Sequence, residues 1–287
     1  MTNELEVPRE RTIGGVRVPT FLYGTAWKED QTARCVRQAL EAGFRAIDTA
    51  NQRKHYHEAA VGQALAAAID EGLVGREDVF LQTKFTHVAG QDHRLPFDPS
   101  APIATQVQQS CASSLAHLQV EVLDALLLHG PSTREGLAPD DLEAWQAMEA
   151  LQAVGEVRLL GISNVTRAQL ELLCERAQAP IAFVQNRCYA RTGWDRAVRA
   201  LCRERDIGYQ GFSLLTANRR ELERPDLLEI AKRAGLTAAQ AVFRFALQVG
   251  MLPLTRSTDP AHLREDLAAS EQAFSDDELA QIEAISG

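Results

Sequence analysis

No stretch of this sequence approaches the ~20 consecutive apolar residues that a membrane-spanning helix needs. Its opening, Met1-Thr-Asn-Glu-Leu-Glu-Val-Pro8, has neither the basic segment nor the apolar core of a secretory signal. Cysteine is sparse and unpatterned. The five residues Cys35, Cys111, Cys174, Cys188 and Cys202 are an odd number, and no two share a CxxC spacing. That argues against a disulfide framework and for small buried thiols in a reducing cytoplasm; three of the five fall within segments of helical period. Positive charge is in deficit, with a net charge of −9. Nucleic acid and acidic membrane surfaces are therefore poor partners, and an anionic ligand would need a local basic patch. Gly/Ser-rich and Pro-rich linkers are absent too, so residues 1–287 are expected to form one domain.

What the chain does have is alternation. Short apolar runs of strand length are separated by longer stretches of helical period. A hairpin is expected over Thr12-Ile-Gly-Gly-Val-Arg-Val-Pro19, followed by eight strands. They open at Thr20-Phe-Leu-Tyr-Gly-Thr, Phe44-Arg-Ala-Ile-Asp, Val79-Phe-Leu-Gln-Thr-Lys and Ala125-Leu-Leu-Leu-His. The later four are Val157-Arg-Leu-Leu-Gly-Ile-Ser, Ile181-Ala-Phe-Val-Gln, Ile207-Gly-Tyr-Gln-Gly-Phe-Ser and Met251-Leu-Pro-Leu-Thr. Nearly continuous apolar strands suit burial on both faces, and intervening helices suit parallel crossovers. Eight such units fit a closed (β/α)8 TIM barrel with an N-terminal β-hairpin. The longest irregular stretch, Phe85 to Pro99, follows a strand end directly and is expected to be functional or mobile.

Asp48, Lys84, His129, Ser163, Asn164, Gln185 and Ser213 all fall at the C-terminal ends of these strands. In a barrel those ends converge on one mouth, where reactive groups gather. Any one of them could be a strand cap or a satisfied core polar group. Seven at the same rim point to a site.

Four motifs, Phe44-Arg-Ala-Ile-Asp-Thr-Ala, Gln82-Thr-Lys, Leu127-Leu-His-Gly-Pro and Gly161-Ile-Ser-Asn, occur in this order and spacing. With the opening segment Gly24-Thr-Ala-Trp-Lys28, they resemble the aldo-keto reductase family, and the resemblance runs over essentially the whole chain. It implies an Asp-Tyr-Lys-His tetrad in which Asp48, Lys84 and His129 map directly. The family's tyrosine usually stands five residues after the Asp, where this chain has Arg53. The Val61-Gly62 pair that follows lies two residues late, implying a two-residue insertion. Tyr56 is the phenol of that segment and is the expected catalytic residue; His55 and His57 are the alternatives.

The chemistry asks for such a set. Reducing a carbonyl needs a hydride on carbon and a proton on oxygen. A phenol, with a pKa of about 10, is a poor acid. A buried Lys84 ammonium is expected to lower it, with Asp48 holding the lysine charged. His129 would donate a second hydrogen bond to the carbonyl oxygen. For Asp48 and Lys84 the plain alternative is a structural ion pair, and for His129 a satisfied core histidine.

The resemblance also implies a nicotinamide cofactor. Ser163, Asn164 and Gln185 would bind its carboxamide, and Gly24, Thr25, Ala26 and Asp48 would lie against it. Phe212 stands where the family usually stacks a tyrosine on the nicotinamide, and Ser213 and Leu215 would line the pyrophosphate. At the adenosine end the family pattern becomes Leu254-Thr-Arg-Ser-Thr-Asp-Pro-Ala-His-Leu-Arg-Glu-Asp266. Arg256 replaces a lysine, His262 an arginine and Asp266 an asparagine, with Ser257 and Glu265 alongside. Arg256 can grip a 2′-phosphate bidentately, so NADPH (NADP) is expected and NADH less so. Asp266 would bring unwanted negative charge.

The expected activity is NADPH-dependent reduction of an aldehyde or ketone, with a small-molecule carbonyl substrate and a monomer or weak homodimer. The alternative is a non-catalytic NADP-binding barrel acting as a regulatory or interaction protein. His55-Tyr-His57 with Lys84 and His129 also suggests a metal-dependent barrel hydrolase, but strand eight ends without a carboxylate and strand six ends in Gln185, so no metal is expected. A Schiff-base aldolase at Lys84 would leave Asp48 and Ser163-Asn164 unexplained. Trp27, Trp194, Phe85 and the loop through His93 and Phe97 are expected to wall the substrate pocket. The chain stops at Gly287, soon after its last predicted helix, so no long specificity-narrowing tail is expected.

Overall fold

The computed structural model describes residues 7–271 and 273–285. The chain opens with a hairpin of β1 (Glu10–Ile13) and β2 (Val16–Pro19), paired antiparallel with Ile13 opposite Val16. Gly14 and Gly15 both take positive φ, as a two-residue turn between right-twisted strands requires. Gly14 is fixed by space as well, since a Cβ there would meet Leu159 at 2.7 Å. The hairpin therefore presses against one end of the barrel, where Ile13, Val16 and Val18 join its inner apolar cluster.

Eight parallel strands close that barrel: β3 (Leu22–Gly24), β4 (Ala46–Asp48), β5 (Phe80–Phe85), β6 (Leu123–Leu128), β7 (Val157–Ser163), β8 (Ile181–Arg187), β9 (Gly208–Phe212) and β10 (Leu252–Thr255). Each pairs with its sequence neighbour, and β10 returns to pair with β3. Around them run α1 (Thr32–Ala42), α2 (Glu58–Asp70), α3 (Ile103–Leu118), α4 (Pro139–Ala153), α5 (Arg167–Arg176) and α6 (Arg196–Glu204). They are followed by α7 (Arg219–Leu222), α8 (Pro225–Arg233), α9 (Ala238–Gln248), α10 (Pro260–Ala268) and α11 (Asp276–Glu283). Thr166, Thr237 and Ser275 cap α5, α9 and α11, each in a reciprocal box with a Gln or Glu three residues on.

Strand side chains alternate between two apolar layers. Leu22, Ala46, Phe80, Leu127, Leu159 and Phe183 fill the barrel, while Tyr23, Ile47, Leu81, Phe85 and Val184 pack outward against the helices. The same alternation sorts the polar residues. On β5, Gln82 and Lys84 follow Phe80 inward; on β8, Gln185 and Arg187 follow Phe183.

Two expectations change here. Phe85 points outward into the core against Phe97 and does not wall a pocket. Trp194 is 1% exposed, packs on Phe245 and donates from Nε1 to the carbonyl of Ile282, so it anchors α11 and is no part of the mouth. The stretch from Phe85 to Pro99 is tied down by two glutamines. Gln91 Nε2 donates to the Asn51 carbonyl at 2.9 Å, and Gln52 Nε2 to the Gly90 carbonyl at 2.7 Å. Four of the five cysteines lie in helices, and all five are free thiols.

Candidate active site

A cleft of about 920 Å³ opens at the C-terminal ends of the strands. Gly24, Ala26, Asp48, Tyr56 and His129 face it, with Trp27 exposed at its edge. Ser163, Asn164, Gln185, Phe212, Ser213 and Leu215 form the adjoining wall. Arg256, Ser257, His262, Glu265 and Asp266 line the far end. Thr25, anticipated with them, does not reach the cleft. It is fully buried and uses its backbone N–H and its hydroxyl, each at 3.0 Å, to hold the Asp48 carbonyl.

Lys84 lies behind the wall, 1% exposed. Its Nζ donates to Asp48 Oδ1 at 2.6 Å and to the Thr49 carbonyl at 2.8 Å. Burial lowers its pKa, and the Asp48 charge opposes that shift. Asp48 Oδ1 also accepts from Gln82 Nε2 at 2.6 Å and Gln185 Nε2 at 2.8 Å. Three donors on one carboxylate oxygen satisfy a charge that would otherwise be costly in the interior.

The segment after Asp48 carries the Tyr56 ring to the same place. Lys84 Nζ is 5.4 Å from its centre, and the His129 ring is 5.9 Å away edge-on. Arg53, at the position of the family's tyrosine, turns aside to Glu29 at 3.6 Å. His55 stacks on Trp27, ring centres 3.9 Å apart, and lines no part of the cleft. The phenol pKa moves opposite to the expectation: burial first, and then the Asp48 charge, raise it, and only Arg256 opposes them. The lowering anticipated from Lys84 does not dominate.

His129 Nδ1 is 2.7 Å from Thr86 Oγ1. Burial, followed by the Lys84 charge, pulls the imidazole pKa down to about 3, so the ring is neutral at pH 7. Nearby, Asn164 takes a positive φ and donates from Nδ2 to the His129 carbonyl at 2.8 Å. Ser163 Oγ donates to the Gln185 carbonyl at 2.6 Å.

At the far end two shifted groups of opposite sign, Asp266 and Lys28, set the charge that an anion would meet. Asp266 is buried, accepts from Thr255 Oγ1 at 2.7 Å, and is pushed up by burial to a pKa of about 6. Lys28 reaches across to the Arg256 carbonyl at 2.5 Å, with burial lowering its pKa to about 8. Lys28, Thr86, Gln82 and Gln210 are polar residues of this region to which the sequence motifs assign no role. Gln82 and Thr86 stand two residues either side of Lys84, and Gln210 two before Phe212. Strand parity was the signal for the last three. Among the described residues, no three His, Cys, Asp or Glu side chains gather into a metal-binding cluster.

A profile of the aldo/keto reductase family matches residues 20–286. The chain belongs to that family. It is thereby an oxidoreductase acting on carbonyl compounds. The reductase is 29% identical to aldo-keto reductase family 1 member A1 of Bos taurus, over 94% of this chain and 87% of the bovine one. It is also 29% identical to an aldo-keto reductase of Mycobacterium avium, over 94% and 86% of the two chains. Among solved structures, an aldo-keto reductase complexed with NADPH superposes with a TM-score of 0.83 at 22% identity, covering 98% of this chain and 88% of that one. The aldose reductase of Schistosoma japonicum gives 0.79 at 23%, covering 97% and 91%. Those two likenesses concern the fold of the reductase.

Proposed function

We propose that this reductase uses NADPH to convert a small aldehyde or ketone into an alcohol, with Tyr56 as the proton donor. The observation that carries this reading is the placement of the Tyr56 ring at the cleft wall, beside both the buried Lys84–Asp48 pair and the His129 ring. The cleft suits the cofactor on its own chemistry. Ser163, Asn164 and Gln185 offer polar groups for a carboxamide, Phe212 an aromatic face, and the far end presents Arg256 exposed and Lys28 beside it. The neighbour solved with NADPH supports the same choice.

NADPH, when bound, supplies the hydride. The protein does the rest. Phe212 and the Ser163–Asn164–Gln185 group orient the nicotinamide, and Arg256 reads the 2′-phosphate. With the Thr86 hydroxyl as donor to Nδ1, a neutral His129 would keep its ring proton on Nε2. That N–H points a donor at the substrate oxygen without adding a charge. Tyr56 hands its proton to the same oxygen as negative charge builds there. The phenolate left behind is disfavoured by burial and by Asp48 and favoured by Arg256; the Lys84 ammonium, 5.4 Å from the ring centre, is the further cation available to offset its charge as the proton leaves. A reducing cytoplasm is the setting proposed for five free thiols.

The test is NADPH consumption against a panel of aldehydes, ketones, sugars and keto acids, comparing wild type with Tyr56→Phe. Turnover that vanishes in the variant supports the assignment; undiminished turnover removes it.

A further inference from the structure

Beneath Asp48 the barrel interior holds three glutamines where small barrels usually hold apolar side chains. Gln82 and Gln210 are fully buried and Gln185 is 3% exposed. They come from β5, β9 and β8, and their inward parity brings all three to the level of Asp48 on β4. Gln82 Nε2 donates to Asp48 Oδ1 at 2.6 Å and to Gln210 Oε1 at 2.9 Å. Gln185 Nε2 does the same, at 2.8 Å to Asp48 Oδ1 and 2.9 Å to Gln210 Oε1. Two amide nitrogens thus alternate with two acceptor oxygens in a closed square. Gln210 Nε2 completes it by donating back to Gln82 Oε1 at 2.8 Å.

The square leaves no freedom of orientation. Asp48 Oδ1 already takes the Lys84 ammonium, so turning either Gln82 or Gln185 over would set oxygen against oxygen. With both nitrogens then aimed at it, Gln210 must present its own oxygen. Gln185 has two amide hydrogens, and both are consumed. The one group it has left for the cleft it lines is its carbonyl oxygen, Oε1.

We propose that Gln210 is a positioning residue: by occupying the second amide hydrogen of Gln185, it commits Gln185 to accepting a hydrogen bond from the carboxamide NH2 of the nicotinamide. This rests on reading the cleft as the nicotinamide site. Without Gln210, a Gln185 N–H is released. It can serve a carbonyl as readily as Oε1 serves an amide, and the selection of a carboxamide is lost.

The probe is a pair of cofactors, NADP+ and its 3-acetylpyridine analogue, in which a methyl replaces the carboxamide NH2. Dissociation constants come from tryptophan fluorescence titration of the intact protein, with melting temperature recorded alongside. Wild type should prefer NADP+ by about tenfold, the worth of one well-placed hydrogen bond. Gln210→Met should reduce that preference to within about threefold, since the contact no longer has a single donor sense. Gln82→Met breaks the opposite side of the square but leaves both partners of Gln185 in place, so it should keep the preference even where it lowers the melting temperature. Gln210→Glu, which retains an acceptor between the two nitrogens, should keep it too. If Gln210→Met does not accumulate folded, Gln210→Asn, too short to reach both nitrogens, carries the same expectation.

An undiminished preference in Gln210→Met or Gln210→Asn overturns the proposal, as does equal loss in Gln82→Met. Wild type that binds both cofactors alike overturns it as well. Wild type that binds neither removes the cofactor reading beneath it.

Discussion

The Thr86 hydroxyl sits 2.7 Å from Nδ1 of His129. Burial and the Lys84 charge keep that ring neutral, so its two nitrogens must divide one proton. A hydroxyl that donates to Nδ1 places the proton on Nε2. Thr86→Val keeps the shape and removes the bond. It should lower kcat by about tenfold, the worth of one hydrogen bond, with KM little changed, while Thr86→Ser restores the rate. Steady-state kinetics of the three proteins check this; a fully active Thr86→Val would detach Thr86 from the chemistry.

Tyr56→Phe should cut kcat by at least ~10²-fold, the lower end for a lost general acid, and leave KM nearly unchanged. Its pH profile follows from the signs of the shifts. A phenol pKa raised above its usual value keeps the proton on Tyr56 through neutral and mildly alkaline pH, so the rate should hold between pH 7 and 9. The His129 pKa, lowered to about 3, adds no acid limb between pH 7 and 5. If His55 were the donor the profile would reverse. Burial, then Lys54, lower its pKa, so the acid form would already be scarce at pH 7 and the rate would climb as pH falls. His55→Ala should instead be mild.

Lys84→Met separates chemistry from folding. Breaking one side of a buried ion pair costs about 3–5 kcal/mol, and here Asp48 keeps Gln82 and Gln185, so the lower end is expected. Thermal melting should show that loss. The rate per folded molecule should still fall at least ~10²-fold, because the phenolate left by Tyr56 loses its nearby cation. A Lys84→Met protein that melts early but turns over normally would mark the lysine as structural.

Arg256→Ala should weaken NADPH by ~1.5–3 kcal/mol, the range for a charged hydrogen bond, and leave NADH almost unaffected. Equal losses for the two cofactors, measured by fluorescence titration, would show that Arg256 does not read the 2′-phosphate.

Asp266 gives a pH-dependent counterpart. Burial lifts its pKa to about 6, so the carboxylate is charged above that pH and neutral below it. A raised folded pKa means the fold binds this proton more tightly than the unfolded chain. The ionised residue therefore costs stability above about pH 6, and the cost is relieved as pH falls from there toward the ordinary carboxylate value of about 4. Asp266→Asn should raise the melting temperature and tighten NADPH at pH 8; at pH 5 the gain in stability should be about half as large and the gain in binding small. Equal effects at both pH values would place the charge elsewhere.

The barrel was legible because its signal is repeated and local. Val157–Ser163 is a strand in sequence and in structure alike, and the other seven differ only at their ends. The rim groups followed from the same pattern, since a polar residue closing an apolar run has few places to go. What misled was distance along the chain. Nothing near Trp194 reveals that its indole N–H is taken by Ile282, so a loop tryptophan read as a pocket wall. Thr25 failed for a related reason: its hydroxyl turns inward to a neighbouring strand's carbonyl. The direction of the Tyr56 shift was unreadable, because it depends on how deeply the ring is buried and on the Asp48 and Arg256 charges at once.

Closure of the barrel joins the two ends of the chain in time as well as in space. Leu22 on β3 pairs with Leu254 on β10, and no other strand can cover that side of β3. During synthesis at about 5–20 residues per second, the edge stands open for roughly 10–50 s before its partner exists. For that interval β3 and its neighbours present unpaired backbone groups to whatever else is in solution. Yield in the cell should then depend on how quickly the last third of the message is translated and on chaperones that shield the gap. Slowing translation just before β10 should shift product toward aggregates while leaving the finished protein's melting temperature unchanged.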